Sequence, residues 1–266
     1  MRRLMAVSLL VALAATACGK GGSNQGLARL DQTGFISQVA AKSVSQRTAK
    51  IEMTETVIPP SGSGAGSITL TADGVVDMAN KIADIKMNFP AAMGLSGAIE
   101  MVMANKTLYM QIPAALAPQV GVSKHWLGMK LDKVVGSSPL SGGNWTDPTS
   151  VLDALRAVAS SVTKGGEVTV RGVKTTQYEV TLDITKLTSK IPAFEREAIS
   201  QLTFNHLNVY VSDDSLVRRE EFSASVAGAS ITTQIDLFDF GAPVSVSVPP
   251  ASQVEFKSLQ DLISGK

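Results

Sequence analysis

Cysteine is nearly absent from this chain. One cysteine, Cys18, stands among 266 residues, which excludes an internal disulfide and a cysteine-rich zinc site. Histidine is almost as scarce: His125 and His206 are the two available for metal binding or general-base chemistry, and they lie far apart. No charge of one sign dominates. With 24 basic and 23 acidic residues, the net charge of +1 lacks the electrostatic footprint of a nucleic-acid binder. Aromatic residues make up only 5%. What is present is aliphatic: a hydrophobic share of 44% suffices for a large core and argues against global disorder. The length allows one large domain or two small ones.

The first apolar run is an address rather than a fold element. Arg2 and Arg3 precede Leu4 to Ala15, broken only by Ser8, and Ala15-Thr16-Ala17 leads to Cys18. Such a run is shorter than the roughly 20 residues a membrane-spanning helix needs. It fits the h-region of a secretory leader covering residues 1–17. A small residue before a cysteine at the end of an h-region resembles the bacterial lipobox. There the cysteine sulfur receives a diacylglyceryl group and cleavage falls just before it, with palmitate as a typical acyl chain. Ala15 departs from that pattern, in which leucine is commonest. Ala15-x-Ala17 also suits ordinary signal peptidase at the same bond, so the two readings differ in the fate of the Cys18 thiol. Loss of Arg2 and Arg3 leaves 22 basic residues against 23 acidic ones, a net charge of −1.

Residues 18–32 read as the lipidated cysteine and a flexible tether, rich in Gly, Ser, Asn and Gln. Twelve such residues span about 20 Å. The domain is expected over residues 33–266. Phe35, Ile36, Val39, Ala40 and Val44 recur at helical spacing, with Thr33 as N-cap. Strand alternation follows from Ile51 to Ile58, closed by Pro59-Pro60, and Ser61–Gly66 is a hairpin connection. It is not a phosphate loop, because no Lys-Ser/Thr pair follows. Ile68 to Met78 alternates, as do Ala83, Ile85, Met87 and Phe89, then Ile99, Met101 and Met103, then Leu108 and Met110, then Leu127 to Leu131. Turns fall at Asn80-Lys81 and Asn105-Lys106. The pattern is a meander of antiparallel strands with one apolar face.

Asp147-Pro148 opens a second helix, running to Ser160, with Val151, Leu152 and Leu155 in its apolar stripe. Strands resume at Val168-x-Val170 and Tyr178-x-Val180-x-Leu182 around Gly172. A third helical stretch is expected from about Thr185 to Leu202, interrupted at Pro192. Strands then occupy Leu207–Val211, Leu216–Val226 and Ile231–Phe240, and Leu259–Ile263 forms a short terminal helix. With no exact repeat and no later linker, one α+β domain is the economical reading.

An apolar sheet face must be buried. Three modest helices could cover it fully, or a curved sheet could enclose an apolar space beneath them. Beyond the leader the eight methionines all lie between Met53 and Met129, and Met87, Met101, Met103 and Met110 fall on the apolar parity. Methionine adapts to variable apolar partners, but it also fills ordinary cores. The candidate cavity lining is therefore Met87, Phe89, Ile99, Met101, Met103 and Met110 on the strands, with Val151, Leu152 and Leu155 on the second helix.

Several stretches carry a resemblance. They are Asp147-Pro148 with Val151–Arg156, Arg171–Tyr178, Leu216–Glu220 after an acidic turn, and Asp236–Gly241. With the lipobox-like leader, the chain resembles the actinobacterial LppX/LprA/LprF/LprG lipoproteins of the LolA-like superfamily. The resemblance spans nearly the whole chain after the leader, and the order of elements carries most of it. It implies a strongly curved antiparallel half-barrel with helices on the concave face. It also implies an apolar cavity holding the acyl chains of an envelope lipid or glycolipid, for transport or presentation. It implies no catalytic residue and no cofactor, and a membrane transporter partner is compatible with it. Only Cys18 carries over as a functional residue, anchoring the exported protein to the outer face of the cell membrane.

Other chemistry finds little support. No Gly-x-Ser-x-Gly elbow occurs, no spacing singles out a Ser-His-Asp triad, and Asp213-Asp214 reads as a turn rather than a calcium loop. Arg218-Arg219 beside Glu220-Glu221 reads as charge pairing on a solvated strand. Tyr109 and Trp126 are placed at a cavity mouth or in ordinary packing. The competing reading is an envelope interaction module with a closed core and no lipid cargo.

Overall fold

The computed structural model describes residues 32–64, 66–90, 98–114, 116–130, 159–183, 202–226 and 228–258. Period-two alternation governs most of them. In β1, Thr48–Ile58, the positions Ala49, Ile51, Met53 and Val57 are buried while Lys50, Glu52 and Thr54 are exposed. Five further strands continue the first meander: β2 Ile68–Asp77, β3 Ile82–Asn88, β4 Ala98–Ala104, β5 Thr107–Gln111 and β6 Trp126–Lys130. A second meander contains β7 Ala159–Val170, β8 Val173–Leu182, β9 Leu202–Ser212, β10 Val217–Val226 and β11 Ala229–Phe238, and β12 is the short Val254–Phe256.

Local chemistry sets the turns. Asp77 accepts hydrogen bonds from the backbone N–H of Asn80 at 2.9 Å and from its side-chain amide at 2.7 Å, closing the link from β2 to β3. Asn105-Lys106 and Arg171-Gly172 are two-residue hairpin turns with positive φ at both positions, the geometry whose twist matches the flanking strands.

All twelve strands join in one sheet, in the order β12-β6-β5-β4-β3-β2-β1-β11-β10-β9-β8-β7. Every neighbour is antiparallel except β12, which runs parallel to β6. The two meanders fuse through β1 and β11, from Lys50 opposite Phe238 to Ile58 opposite Ser230. The sheet is curved and unclosed, with β12 and β7 as its edges. Gly74 marks a sharp approach of β2 to β3. A Cβ there would run into the Asp84 carbonyl oxygen and lie 2.9 Å from the Ile85 Cα, so only glycine fits.

Helix α1, Gln32–Ser45, lies against the concave face and touches β7 and β10. Phe35 and Val39 are buried, and the Phe35 ring packs on Tyr178 of β8 with centroids 4.2 Å apart. Ser43 ties the helix to the sheet. Its hydroxyl donates to the Val39 carbonyl at 3.0 Å and accepts the Val217 N–H at 2.9 Å. A four-residue helix α2, Ala117–Val120, sits between β5 and β6, where Ile112, Leu116 and Val122 join the core.

Several boundaries differ from the sequence expectation. α1 begins at Gln32, so Thr33 lies inside the helix rather than at its cap. Ala159 and Ser160 belong to β7, not to the second helix: Ala159 pairs with Leu182 of β8, Ser161 with Thr181, and Ser160 sits at the irregularity between them. Leu202 opens β9 instead of ending the third helix, since it pairs with Val226. β6 is described over Trp126–Lys130, Leu131 lies outside the described residues, and β12 had no recognisable strand signal. The rest of the second and third helices, with Val151, Leu152 and Leu155, lies outside the described residues. So do Cys18, the tether and the terminal helix.

The opposite, convex face carries a second small core. Val102, Ala104, Tyr109, Trp126 and Val254 cluster there with Ile82 and Val246. Tyr109 and Trp126 therefore stand on the side away from the concave face, not at a mouth of it. β12 is pinned over them: Glu255 accepts the Ser123 N–H at 2.7 Å and its hydroxyl at 2.8 Å. Gly128 leaves room for Val254 and Phe256, both of which a Cβ would meet at 2.7 Å.

Candidate functional site

Antiparallel register aligns the inward side chains in rows across the sheet. One row runs Tyr178, Val209, Glu220, Ile235, Met53, Ala72, Met87, Ile99, from β8 through β10 and β1 to β4. The row beside it runs Val180, Leu207, Phe222, Thr233, Glu55, Leu70. A third passes through Leu237, Ile51, Gly74, Ile85, Met101, Met110 and Leu127. Strands β1 to β11 each contribute apolar residues to this one face.

All six strand candidates, Met87, Phe89, Ile99, Met101, Met103 and Met110, share this concave face. Met87, Ile99 and Met101 are buried. Phe89, Met103 and Met110 are only partly so, as are Ile85, Tyr178, Leu207 and Phe222. The face is thus closely packed in places and keeps accessible apolar surface in others.

Two carboxylates interrupt it. Glu55 takes a buried position between Met53 and Val57 and is 1% exposed, and its Oε2 accepts the Thr233 hydroxyl at 3.3 Å. Glu220 stands opposite Val209 on one side and Ile235 on the other. Protein surrounds it to the depth of the core, yet the residue keeps part of its surface accessible. Among the described residues no hydrogen bond or ion pair reaches its carboxyl. Burial pushes that carboxyl up to about 7.

The structure corrects the solvated reading of the Arg-Arg-Glu-Glu run. A bulge between Val217 and Arg219 inserts one residue into β10. Unbroken alternation from Val217 would send Arg219 and Glu221 inward; the bulge turns them outward and Glu220 inward. On the convex side Arg219 then grips Asp236 through Nε–Oδ1 at 2.6 Å and Nη2–Oδ2 at 2.9 Å. Glu221 accepts the Tyr210 hydroxyl at 2.6 Å; burial foremost, with this bond, lifts that phenol to about 12. Arg218 pairs with Asp214 at 2.8 Å. A charged residue on the apolar parity of a strand is the signal that marks Glu55; for Glu220 the bulge conceals it.

No catalytic or metal constellation emerges from the described residues. His125 is exposed, with its Nε2 2.8 Å from Gln111 Nε2, and His206 lies on β9. Among the described residues no group of three His, Cys, Asp or Glu gathers to hold a metal ion, and no helix is long and apolar enough to cross a membrane.

The class defined by this geometry is a single curved, mostly antiparallel sheet with an apolar, methionine-bearing concave face and a helix laid on it. Among known proteins, the chain resembles the LppX and LprF lipoproteins in this architecture. The LppX lipoprotein of Mycobacterium tuberculosis superposes with a TM-score of 0.46 at 12% identity, over 77% of this chain and 94% of that one. LprF of Mycobacterium bovis gives 0.43 at 16% identity, over 78% and 92%. In sequence, an uncharacterized 31.2 kDa protein of Streptomyces griseus is 26% identical over 252 residues, covering 84% of this chain and 79% of its own length. No family model matches the sequence.

Proposed function

We propose that this protein is an exported lipoprotein, anchored at the outer face of the cell membrane through Cys18, that holds the acyl chains of an envelope lipid or glycolipid. It is a binding protein for transport or presentation and has no catalytic step. The observation that carries this reading is the concave face. Apolar side chains from β1 to β11 form one continuous surface on a sheet that does not close, and several of them retain accessible area. Flexible Met53, Met87, Met101, Met103 and Met110 lie along it, suited to chains of varying shape.

Energetics agree with a carrier role. Burying about sixteen methylene-like carbons is worth on the order of 12 kcal/mol relative to water. A membrane offers nearly the same gain, so cargo can load from a bilayer and return to one. The glycine-rich segment before α1 would let the domain reach about 20 Å from its anchor.

The test is uptake of a fluorescent fatty-acyl probe by the purified domain, with Met101→Trp and Met103→Trp as filling variants. Saturable binding that both variants weaken supports the reading. A folded domain that binds no probe, or binds it equally after both substitutions, overturns it in favour of a closed-core interaction module.

A further inference from the structure

We propose that Glu220 is the polar anchor of the bound ligand and selects lipids whose polar end is uncharged and bears hydroxyl groups, against lipids with an anionic head. This rests on the lipid-binding reading above and names the ligand class for the same face.

The charged side chains of β10 around Glu220 are matched on the convex side: Arg219 with Asp236, and Glu221 with Tyr210 and Arg219. Arg218, at the bulge, is matched by Asp214. Glu220 alone of that run turns inward, between Val209 and Ile235, with Met53 and Tyr178 one position further along the row. No cation among the described residues faces it, and part of its surface stays accessible on the apolar face. Leaving a carboxyl unmatched in an apolar face destabilises the empty protein. A ligand that brings hydroxyl donors removes that penalty.

The neighbouring polar side chains sharpen the preference. Glu55 lies two strands across and two residues along, about 12 Å away by strand geometry. Thr233, which donates to Glu55, stands in the row between. Glu55 and Thr233 are buried, so Glu220 is the polar group of these rows that a ligand's polar end can reach, and the described residues of the rows include no basic side chain. A phosphate would meet like charge in a low-dielectric setting, where repulsion is far stronger than in water. The ordinary acceptor geometry of a carboxylate suits sugar or glycerol hydroxyls instead.

The test compares dioleoylglycerol with dioleoyl phosphatidic acid, which share acyl chains and differ in charge. Both are titrated at about pH 8, where Glu220 is ionised, into wild type and Glu220→Gln, each checked for an unchanged fold by circular dichroism. Wild type is expected to favour dioleoylglycerol, and Glu220→Gln to shrink that preference on the order of tenfold by admitting phosphatidic acid. Equal or stronger binding of phosphatidic acid by wild type overturns the proposal. So does a preference that Glu220→Gln leaves unchanged. If neither lipid binds either protein, the lipid-binding reading falls with it. If both bind alike, only the selectivity fails. Should the variant not fold, the wild-type preference alone decides.

Discussion

Arg219 and Asp236 face each other across β10 and β11 and join through two parallel hydrogen bonds, 2.6 and 2.9 Å long. Asp236 is 4% exposed although it lies on the convex side. This pair locks the register that, one residue later, turns Glu220 to the inner face.

Asp236→Ala strips the partner from a half-buried guanidinium. The expected loss of stability is about 2–3 kcal/mol, below the full cost of breaking a deeply buried pair. Chemical denaturation measures it. A loss within a few tenths of a kcal/mol would mean that the pair does not hold the register.

Gly74→Ala tests the bend between β2 and β3. The added methyl meets backbone, the Asp84 carbonyl and the Ile85 Cα, not a side chain that can swing aside. The domain should lose at least about 2 kcal/mol or fail to fold, whereas Gly166→Ala, with open space around it, should be nearly neutral. Equal effects at the two sites contradict the close approach.

The Glu220 carboxyl titrates near 7 in the folded chain, against an ordinary value of 4.5. Between those values the folded protein keeps a proton that the unfolded chain has released. Its contribution to stability is therefore greatest below the lower value and declines as pH rises through the upper one. Glu220→Gln should be more stable than wild type near pH 8, by at most about 3 kcal/mol and less where water hydrates the carboxyl, with the difference shrinking through pH 5 and vanishing below about pH 4. Thermal melts of the two proteins across this range supply the comparison. An offset that does not change with pH rules out a buried, titrating Glu220.

The proposed anchor can be tested at Cys18. The secreted protein should begin at Cys18 and carry the mass of a diacylglyceryl group, and Cys18→Ala should shift it from the membrane fraction to the medium. An intact mass showing a free thiol contradicts the anchor.

Much of the sheet was legible in the sequence, because alternation names the inner face of a strand directly. Met87, Met101, Met103 and Met110 occupy one face for that reason, and Asn105-Lys106 announces its own turn. What alternation cannot state is which strands meet. The pairing of β1 with β11 joins residues about as far apart as Lys50 and Phe238, and no local pattern encodes it. The bulge after Val217 reversed the parity of a charged run and hid Glu220. Tyr109 and Trp126 face a second core that exists because β12 returns to β6, a parallel pairing formed by three residues too few to show a period.

The most direct measurement is lipid extraction and mass spectrometry of the full-length protein purified from a bacterial envelope. The expected result is an acylated lipid in about equimolar amount, with an uncharged, hydroxyl-bearing head and removable without unfolding the domain. A folded protein that carries no lipid beyond the group on Cys18, and takes up none when offered vesicles, would contradict it.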